Sequence, residues 1–376
     1  MKSRENENTF LKISKSGIIN EEHLNQIKSK EFVIFFIIIF VLAISFYQIY
    51  LSKKNNNQIN KILTQLQKDE IDNNIHLIEP YIKAQKEFCD NPNKFINTKY
   101  ENQIYLSDVK FNDFNFKMYI FKSNNFILNE FKKYGAFEIN ISNSMIQTLS
   151  YYKSKYNIIN NEDIFVIDIG GNIGWYPSIL GRYGYTILSF EAFEKNYYVE
   201  RKNFCNINKY SNVIIVNKGL GNKEKRCNYF IHKNNEGNGM VICDDKKTIK
   251  NSKLKRAFMK ESEVEITTLK YFMPYLSNKK IVLMKIDVEG HELHVLEGGE
   301  ELITKYHVPF IVLEFSPLYL KEAGTEPKSL IQFLVNNGYK ISIKGFLSNE
   351  FITIEELIRI TKFQINCYFI HDSVIK

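Results

Sequence analysis

Glycine, proline and tryptophan are scarce in this chain, which has 17 Gly, 7 Pro and one Trp among its 376 residues. This scarcity excludes a collagen-like protein and a low-complexity chain rich in Pro and Gly. Hydrophobic residues make up 44% of the sequence, which includes 29 Phe and 23 Tyr. Because such a composition is incompatible with a mainly disordered protein, we expect most of the chain to fold.

Cysteine is also rare, and its spacing follows no familiar pattern. The five cysteines are Cys89, Cys205, Cys227, Cys243 and Cys367. None belongs to a CxxC pair, and the spacing suggests neither a zinc site nor a disulfide framework. We therefore predict buried thiols, and the odd number favours a reducing compartment for the folded domain.

Strong charge of one sign is absent as well. The chain has 50 Lys and Arg against 42 Asp and Glu, a net charge of +8, and these residues are scattered along it. A nucleic-acid surface is expected to concentrate Lys and Arg on one element. The densest basic run, between residues 246 and 256, has few aromatic neighbours and is interpreted as a solvated loop. We expect no nucleic-acid partner.

One long hydrophobic run stands near the N-terminus, after a polar tail at residues 1–31. Residues 32–51, FVIFFIIIFVLAISFYQIYL, contain no charged side chain. A helix of this length spans a hydrocarbon core of about 30 Å, so the run predicts a transmembrane helix. Polar residues 52–80 follow with helical spacing of apolar positions and predict a stalk. Lysines flank the run on both sides, so the sequence predicts a single-pass membrane protein without fixing the side of the catalytic domain.

The remainder divides into an N-terminal extension, residues 81–160, and a main domain, residues 161–376. In the extension, apolar and polar residues alternate from 103 to 121 around Asn112-Asp113, which predicts a β-hairpin. In the main domain, apolar runs alternate with helical patterns at 164–169, 186–190, 212–216, 281–287, 308–315, 339–343 and 366–371. We predict an α/β fold with a doubly wound, mostly parallel seven-stranded sheet, whose last two strands form an antiparallel pair at one edge.

Glycines follow the first predicted strand, where a doubly wound sheet binds its ligand. The turn contains Asp168, Gly170, Gly171, Asn172 and Gly174. A nicotinamide dinucleotide site requires glycines spaced G-x-G-x-x-G, but Asn172 occupies the middle position. The pattern favours a ligand without phosphates, and Asp168 is placed to meet an ammonium group or an ordered water. S-adenosylmethionine, with its amino-acid tail and sulfonium, satisfies both conditions, although a merely tight turn gives the same pattern.

Two further residues extend the predicted cofactor site. Glu191 ends the second strand about twenty residues after Gly171, where a carboxylate accepts hydrogen bonds from both ribose hydroxyls. Asn217 follows the third strand and is a candidate to face the adenine, although Asn is abundant throughout this chain. A carboxylate at this distance from the glycine turn favours an adenosyl ligand over a chance surface Glu.

The fourth predicted strand leads into the candidate catalytic loop, which contains Asp287, Glu289 and His291. These side chains are candidates to orient an acceptor, to remove its proton or to hold a divalent ion together. We predict no metal site, because the groups come from one loop and no second cluster is visible. His291 alone also fits a helix-start residue with local hydrogen bonds. Glu314, at the end of the fifth strand, is a further acid at the same edge.

With these residues in place, the chain resembles the FkbM-type methyltransferases, a family with the class I S-adenosylmethionine-dependent fold. The resemblance covers roughly residues 160–345 and is carried by VIDIGGNIG, SFEAFEKNYYVERKNF, VNKGLGNKEK, VEITTLKYF and, most specifically, KIDVEGHELHVLEGG. It implies methylation of a small-molecule or glycan hydroxyl. The family's cofactor positions correspond to Asp168, Gly170, Asn172, Gly174 and Glu191, and its DVEG segment, which borders the methyl group, places Asp287 and Glu289 at the reaction centre.

This sequence departs from the family pattern in two respects. Gly171 stands where the family often has Ala, and the membrane helix with its stalk is not part of the family pattern. We predict a membrane-anchored O-methyltransferase. A catalytically inactive, membrane-tethered interaction module and a nicotinamide-dependent oxidoreductase are the alternatives, and the binding of S-adenosylhomocysteine or NADH distinguishes them.

Overall fold

The computed structural model describes residues 76–123, 126–207, 212–233, 235–243, 249 and 251–375. The predicted tail, the predicted transmembrane segment and all of the predicted stalk up to residue 75 lie outside these residues. Within the described ranges, no helix has both the length and the apolar composition needed to cross a membrane. The described residues belong to a unit that extends from Asp72 to Lys376.

The strands are β1 (Ile104–Phe111), β2 (Phe114–Phe121), β3 (Phe165–Ile169), β4 (Thr186–Phe190), β5 (Val213–Val216), β6 (Gly219–Leu220), β7 (Lys225–His232), β8 (Asn235–Ile242), β9 (Phe258–Thr267), β10 (Ile281–Ile286), β11 (Phe310–Phe315), β12 (Tyr339–Ser342) and β13 (Ile365–His371). The α-helices are α1 (Glu79–Asp90), α2 (Thr98–Glu101), α3 (Phe126–Tyr134), α4 (Ile139–Lys155), α5 (Trp175–Arg182), α6 (Glu194–Ile207), α7 (Ser252–Ala257), α8 (Leu269–Leu276), α9 (Glu292–Gly298), α10 (Glu300–Thr304), α11 (Pro317–Glu322), α12 (Pro327–Asn336) and α13 (Ile354–Ile360).

Seven strands form the central sheet, in the order β12-β13-β11-β10-β3-β4-β5. Neighbouring strands from β11 to β5 pair in parallel, whereas β13 is antiparallel to both β11 and β12. This arrangement confirms the predicted doubly wound, mostly parallel sheet and its antiparallel edge pair. Chain order runs outwards from β3 to β5 and then returns to β10, so the carboxyl ends of β3 and β10 meet at the topological switch point.

The apolar runs of these strands follow from burial on both faces of the sheet. Every residue of β3 and of β10 is buried. Successive side chains point to opposite faces, so Val166 packs into one hydrophobic core and Ile167 into the other. A parallel sheet covered on both sides therefore appears in the sequence as an uninterrupted apolar run.

The N-terminal extension packs into the same core as the sheet. Its β1–β2 hairpin pairs Phe111 with Phe114 across the Asn112-Asp113 turn. The ring of Trp175, at the start of α5, lies edge-on to Phe111 and Phe131, with ring centroids 5.7 and 5.6 Å away. The extension therefore supports the helix that follows the glycine turn.

A second sheet, not predicted from the sequence, is inserted between β5 and α8. Its strand order is β6-β9-β7-β8, with β7 antiparallel to both β8 and β9. Tyr229 of β7 stacks on Phe193, with ring centroids 4.3 Å apart. Phe193 follows the end of β4, so this contact holds the small sheet beside the carboxyl edge of the central sheet.

The prediction of unpaired cysteines is wrong for four of the five. Cys89 of α1 is joined to Cys205 of α6, and Cys227 of β7 is joined to Cys243, just after β8. Among the described residues Cys367 is the free cysteine, and it is buried. The first bridge spans 116 residues of sequence, so its pairing depends on the packing of two distant helices and leaves no spacing signal. Stable disulfides are typical of oxidising compartments, whereas the odd number of cysteines favoured a reducing one.

Candidate active site

The turn between β3 and α5 brings the ends of two strands unusually close together. Gly170 has φ +87°, and a Cβ atom on it would lie 1.9 Å from the carbonyl oxygen of Asp287. Only glycine fits this position, because a side chain would have to displace the backbone that follows β10. The glycine therefore allows the residues after β3 and those after β10 to form one continuous wall of the cleft described below.

Gly171 and Gly174 have a different function from Gly170. A Cβ atom on Gly171 would lie 2.4 Å from Ser189 Oγ, and one on Gly174 would lie 2.8 Å from Glu200 Cγ. Neither glycine lines the cleft described below. Both make room for β4 and α6 to pack beneath the turn, and direct contact with a ligand stays a prediction for them.

Asp168 lies in β3 directly behind this turn. Its side chain is fully buried, and neither carboxylate oxygen has a hydrogen-bond partner among the described residues. Burial raises the pKa of Asp168 to about 7, although the positive charge of Lys285 on the neighbouring strand opposes the change. A buried carboxylate without a donor is costly. An ammonium group or a water would satisfy these oxygens, but Asp168 does not line the cleft described below, so its contact with a ligand stays a prediction.

Glu191 lies at the end of β4, where the sequence predicted a ribose-binding acid. Its two carboxylate oxygens accept hydrogen bonds from the backbone N–H groups of Asn172 and Phe193, each over 2.7 Å. Asn172 adopts a left-handed backbone with φ +51°, which turns its N–H towards the carboxylate. Burial raises the pKa of Glu191 to about 7, against the effect of these two donors. Each oxygen keeps a lone pair for a hydroxyl donor.

Asn217 supports the strand end that carries Glu191. Its side-chain amide donates to the carbonyl oxygens of Glu191 and Ala192, over 2.8 and 3.3 Å. The residue borders a neighbouring cavity rather than the main cleft. A contact between Asn217 and an adenine stays a prediction.

An ion pair joins β10 to the loop that follows it. Lys285 Nζ lies 3.2 Å from Asp287 Oδ2 and 3.4 Å from the carbonyl oxygen of Gly170, and donates to both. Burial alone would lower the pKa of Lys285, but the negative charges of Asp287 and Asp168 raise it above its ordinary value. Lys285 therefore stays charged and connects the glycine turn to the candidate catalytic loop.

Three carboxylates converge beside this ion pair. Asp287, Glu289 and Glu314 each place one oxygen within 4.8 Å of the others. Burial raises the pKa of Glu314 to about 9, and repulsion from Asp287 adds to the effect. Burial also raises the pKa of Glu289 well above its ordinary value, and Glu314 contributes further. The predicted loop acids and the predicted acid of the fifth strand therefore form one cluster.

His291 holds the other end of the loop. Its Nε2 atom lies 2.8 Å from the carbonyl oxygen of Val241 in β8. A carbonyl oxygen only accepts, so this nitrogen carries the proton and donates. Burial lowers the pKa of His291 to about 4, so the ring is neutral at pH 7. These properties suit a residue that positions the loop better than one that removes a proton.

A single cleft brings most of these residues together, with about 720 Å³ of space between protein atoms, part of it open to solvent. Gly170, Asn172, Glu191, Asp287, Glu289 and His291 line it among the predicted residues. The small sheet supplies the opposite wall with Tyr229, Gly239, Val241 and Ile266.

The sequence of this cleft belongs to a known family of domains. Residues 168–341, which include every lining residue of the cleft, match the methyltransferase FkbM domain. The chain contains an FkbM methyltransferase domain. S-adenosylmethionine is the cofactor of this domain, which confirms the cofactor predicted from the sequence. The match sets aside the nicotinamide-dependent alternative.

Relatives of the methyltransferase domain include Methyltransferase 1 of Beauveria bassiana, which is 29% identical over 150 residues. That alignment covers 37% of this chain and 60% of the fungal protein, so the chain spans about 60% of its curated relative. Among solved structures, magnesium protoporphyrin IX methyltransferase from Synechocystis with bound SAM is 12% identical, with a TM-score of 0.33 over 66% of this chain and 85% of that one. WbdD is 11% identical, with a TM-score of 0.37 over 66% of this chain and 44% of that one.

The residues of the methyltransferase domain fit S-adenosylmethionine on three observations. Asp168 offers two buried oxygens without a donor, which suits the amino group of the cofactor. Glu191 lines the cleft with both oxygens fixed by backbone N–H groups, as ribose hydroxyls require. Gly170 has no side chain, and any side chain there would collide with the backbone of Asp287. These observations fit Asp168, Gly170 and Glu191 as cofactor residues, and their contact with the cofactor stays a prediction.

Sequence reasoning missed Lys285 and Glu138. Lys285 is part of the motif KIDVEGHE, so its position was visible and only its charge partners were not. Glu138 precedes α4 in the N-terminal extension, accepts a hydrogen bond from the Tyr176 hydroxyl and interacts electrostatically with Lys285 and Asp287. No sequence signal identifies Glu138, because it lies about 150 residues before the loop that it faces.

Proposed function

We propose that this chain is an O-methyltransferase that methylates a hydroxyl of a sugar, glycan or other small molecule while anchored to a membrane by residues 32–51. One observation carries the reaction type: the carboxylate cluster of Asp287, Glu289 and Glu314 lies at the switch point, directly beside the glycine turn. A hydroxyl acceptor needs a group that accepts its proton, and this cluster provides one.

When bound, S-adenosylmethionine supplies a methyl group whose bond to the sulfonium sulfur breaks as a bond to the acceptor oxygen forms, which leaves S-adenosylhomocysteine. Glu191 and Asp168 hold the cofactor, and Glu289 takes the hydroxyl proton. The raised pKa of Glu289 makes its ionised carboxylate a stronger base than an exposed one, and only the ionised form can accept the hydroxyl proton. Lys285 and His291 position the loop that carries Glu289, from its two ends.

A second cavity supports a polyhydroxyl acceptor. It adjoins the cleft at Ala192, which borders both. Its wall combines the aromatic rings of Tyr100 and Phe193 with the carboxylates of Glu194 and Glu261. Carboxylates accept hydrogen bonds from sugar hydroxyls, and aromatic faces pack against the C–H faces of the ring, so this combination suits a sugar.

The two disulfides support a location for the domain. Cys89–Cys205 and Cys227–Cys243 are expected to persist in an oxidising compartment and to be reduced in the cytosol. We therefore place the methyltransferase domain on the oxidising side of the membrane, with the uncharged segment 32–51 as its single-pass anchor. Thiol labelling of the full-length chain in intact cells tests this placement, since a cytosolic domain would leave all five cysteines reactive after unfolding.

Transfer of a labelled methyl group tests the activity itself. The full-length chain is incubated with labelled S-adenosylmethionine and with membrane glycan, glycolipid and small-molecule fractions, and Glu191→Gln serves as the blank. We expect label in one of these fractions and none with the variant. A folded chain that binds no S-adenosylhomocysteine would instead support the interaction module.

A further inference from the structure

A buried carboxylate lies beneath the catalytic loop with one oxygen unsatisfied. Glu292 is 1% exposed, and its Oε1 atom accepts the N–H groups of Gly290 and Val288, over 3.0 and 3.4 Å. Its other oxygen, Oε2, is buried and has no hydrogen-bond partner among the described residues. The same holds for Oε2 of Glu289, the residue between the two donors. Two acceptor atoms, one in the loop and one at the start of α9, therefore lack a hydrogen-bond partner among the described residues.

Other carboxyl groups are concentrated around these atoms. Glu292 interacts unfavourably with both Glu289 and Glu314, which belong to the cluster whose oxygens lie within 4.8 Å of one another. Lys285 opposes this repulsion, but its ammonium group is already bonded to Asp287 and to the carbonyl oxygen of Gly170. Three carboxyl groups thus converge, Glu292 lies close enough to interact with them, and a compact positive charge among the three would relieve their repulsion.

We propose that Asp287, Glu289 and Glu314 bind a divalent cation of the hard, oxygen-preferring class, namely Mg²⁺, Mn²⁺ or Ca²⁺, and that Glu292 adds to the negative potential there. Carboxylate oxygens are the ligands that these ions prefer. Such ions bind oxygen at about 2.0–2.6 Å, so three oxygens that all lie within 4.8 Å of one another can reach one ion together.

The ligands come from two strands, which explains why the sequence predicted no metal site. Asp287 and Glu289 follow β10, whereas Glu314 lies near the end of β11, paired in parallel with β10. His291, which the sequence grouped with the loop acids, donates to Val241 instead. The second contributor is therefore an acid from the neighbouring strand.

The function of the cation rests on the proposed methyl transfer. A cation held here would bind the acceptor hydroxyl oxygen, lower the pKa of that hydroxyl and fix it beside the glycine turn. Each carboxylate has a second oxygen, so the hydroxyl proton passes to an oxygen that does not bind the ion. Two adjacent hydroxyls of a sugar would bind such an ion more tightly than one.

Binding of Mn²⁺ to the purified full-length chain tests the site directly. The free ion is measured by electron paramagnetic resonance, with wild type, Glu314→Gln and, as a matched control, the exposed Glu300→Gln. We expect one ion per chain in wild type and in the control, with at least tenfold weaker binding to Glu314→Gln. Calorimetric affinity for S-adenosylhomocysteine shows whether each variant is folded, and Glu289→Gln replaces Glu314→Gln if that variant is not.

The possible outcomes separate the two proposals. Equal Mn²⁺ affinity in wild type and both cluster variants, or no binding at millimolar Mn²⁺ while S-adenosylhomocysteine still binds, overturns the cation site and leaves methyl transfer untouched. Mn²⁺ binding that depends on the cluster in a chain that transfers no methyl group supports the site and contradicts the proposed reaction. Competition by Mg²⁺ or Ca²⁺ then identifies the preferred ion.

Discussion

The Nε2–H group of His291 donates to the carbonyl oxygen of Val241 over 2.8 Å, and this bond joins the catalytic loop to the small sheet. The loop thereby depends on an insertion that contributes the opposite wall of the cleft. A His that is buried and fixed as a donor is a positioning residue, although its place in KIDVEGHE also suggested a base.

Replacement of His291 distinguishes these two functions. We expect His291→Gln, which retains a donor, to keep most of the turnover number, and His291→Phe to lose about tenfold to a hundredfold, because displaced reacting groups lower the rate steeply. The pH profile of wild type should show no ionisation from His291 between pH 5 and 8, since burial lowers its pKa to about 4. Equal loss in both variants, together with a limb near pH 6.5, would indicate a catalytic base.

Cofactor affinity should depend on pH through Glu191. Its carboxyl group has a pKa of about 7 in the free protein because it is buried, and ribose hydroxyls bind the ionised form best. Below pH 7 both Glu191 and Asp168, whose pKa is also about 7, must first lose a proton, so affinity for S-adenosylhomocysteine should rise about tenfold to a hundredfold per pH unit up to pH 7 and then level off. Calorimetry between pH 5.5 and 8.5 measures this dependence, and Glu191→Gln should bind weakly and reduce the dependence to the part that Asp168 contributes.

The parallel sheet and the glycine turn were predictable because each depends on residues that are close together in the sequence. Strands such as β3 and β10 are buried on both faces and therefore consist of apolar runs. Gly170 is visible because no other residue fits its backbone and its surroundings. Local burial and local conformation are the two properties that a single sequence reports well.

Features that depend on contacts between residues far apart in the sequence were not predictable in this way. The approach of Glu138 to Lys285 and the pairing of Cys89 with Cys205 depend on how helices of the extension pack against the main domain. Glu314 was recognised as an acid at the correct edge, but its meeting with Glu289 depends on the register of two neighbouring strands. Such contacts become visible only when the fold is known.

Replacement of Asp168 should change both the affinity for the cofactor and the stability of the fold. We expect Asp168→Asn to bind S-adenosylhomocysteine at least tenfold more weakly, because the amide cannot compensate a positive charge. In the folded wild type the pKa of Asp168 is about 7, whereas in the unfolded chain it is about 4. The free energy of unfolding of the wild type should therefore fall as pH rises from about 4 to 7. The variant lacks this loss, so its unfolding temperature relative to wild type should increase over the same range.

The exposed Asp163→Asn is a suitable control for Asp168→Asn, because it removes a carboxylate just before β3 without entering the cleft. It should change neither cofactor affinity nor the pH dependence of unfolding. Unchanged affinity in Asp168→Asn itself would remove this residue from the cofactor site.

The Cys89–Cys205 bridge should contribute substantially to stability. It joins α1 to α6 across 116 residues, and closure of so long a loop restricts the unfolded chain, so Cys205→Ser should lower the free energy of unfolding by about 2–5 kcal/mol. Cys89→Ser should have the same effect, and the double variant should be no worse than either one. Cys367→Ser removes a buried free thiol and serves as a comparison. A wild type whose urea unfolding is unaffected by reductant would contradict the bridge.

Glu289→Gln separates catalysis from cofactor binding. The substitution keeps the shape of the side chain but removes the proton acceptor, so the turnover number should fall about 10²- to 10³-fold, with affinity for S-adenosylhomocysteine within about twofold of wild type. Glu301→Gln, at an exposed position in α10, should leave both unchanged.

Because Glu289 and Glu314 belong to one cluster, the double variant should lose far less turnover than the product of the two single losses. Fully multiplicative losses would show that the two acids act independently, and an unchanged turnover number in Glu289→Gln would remove Glu289 from the reaction.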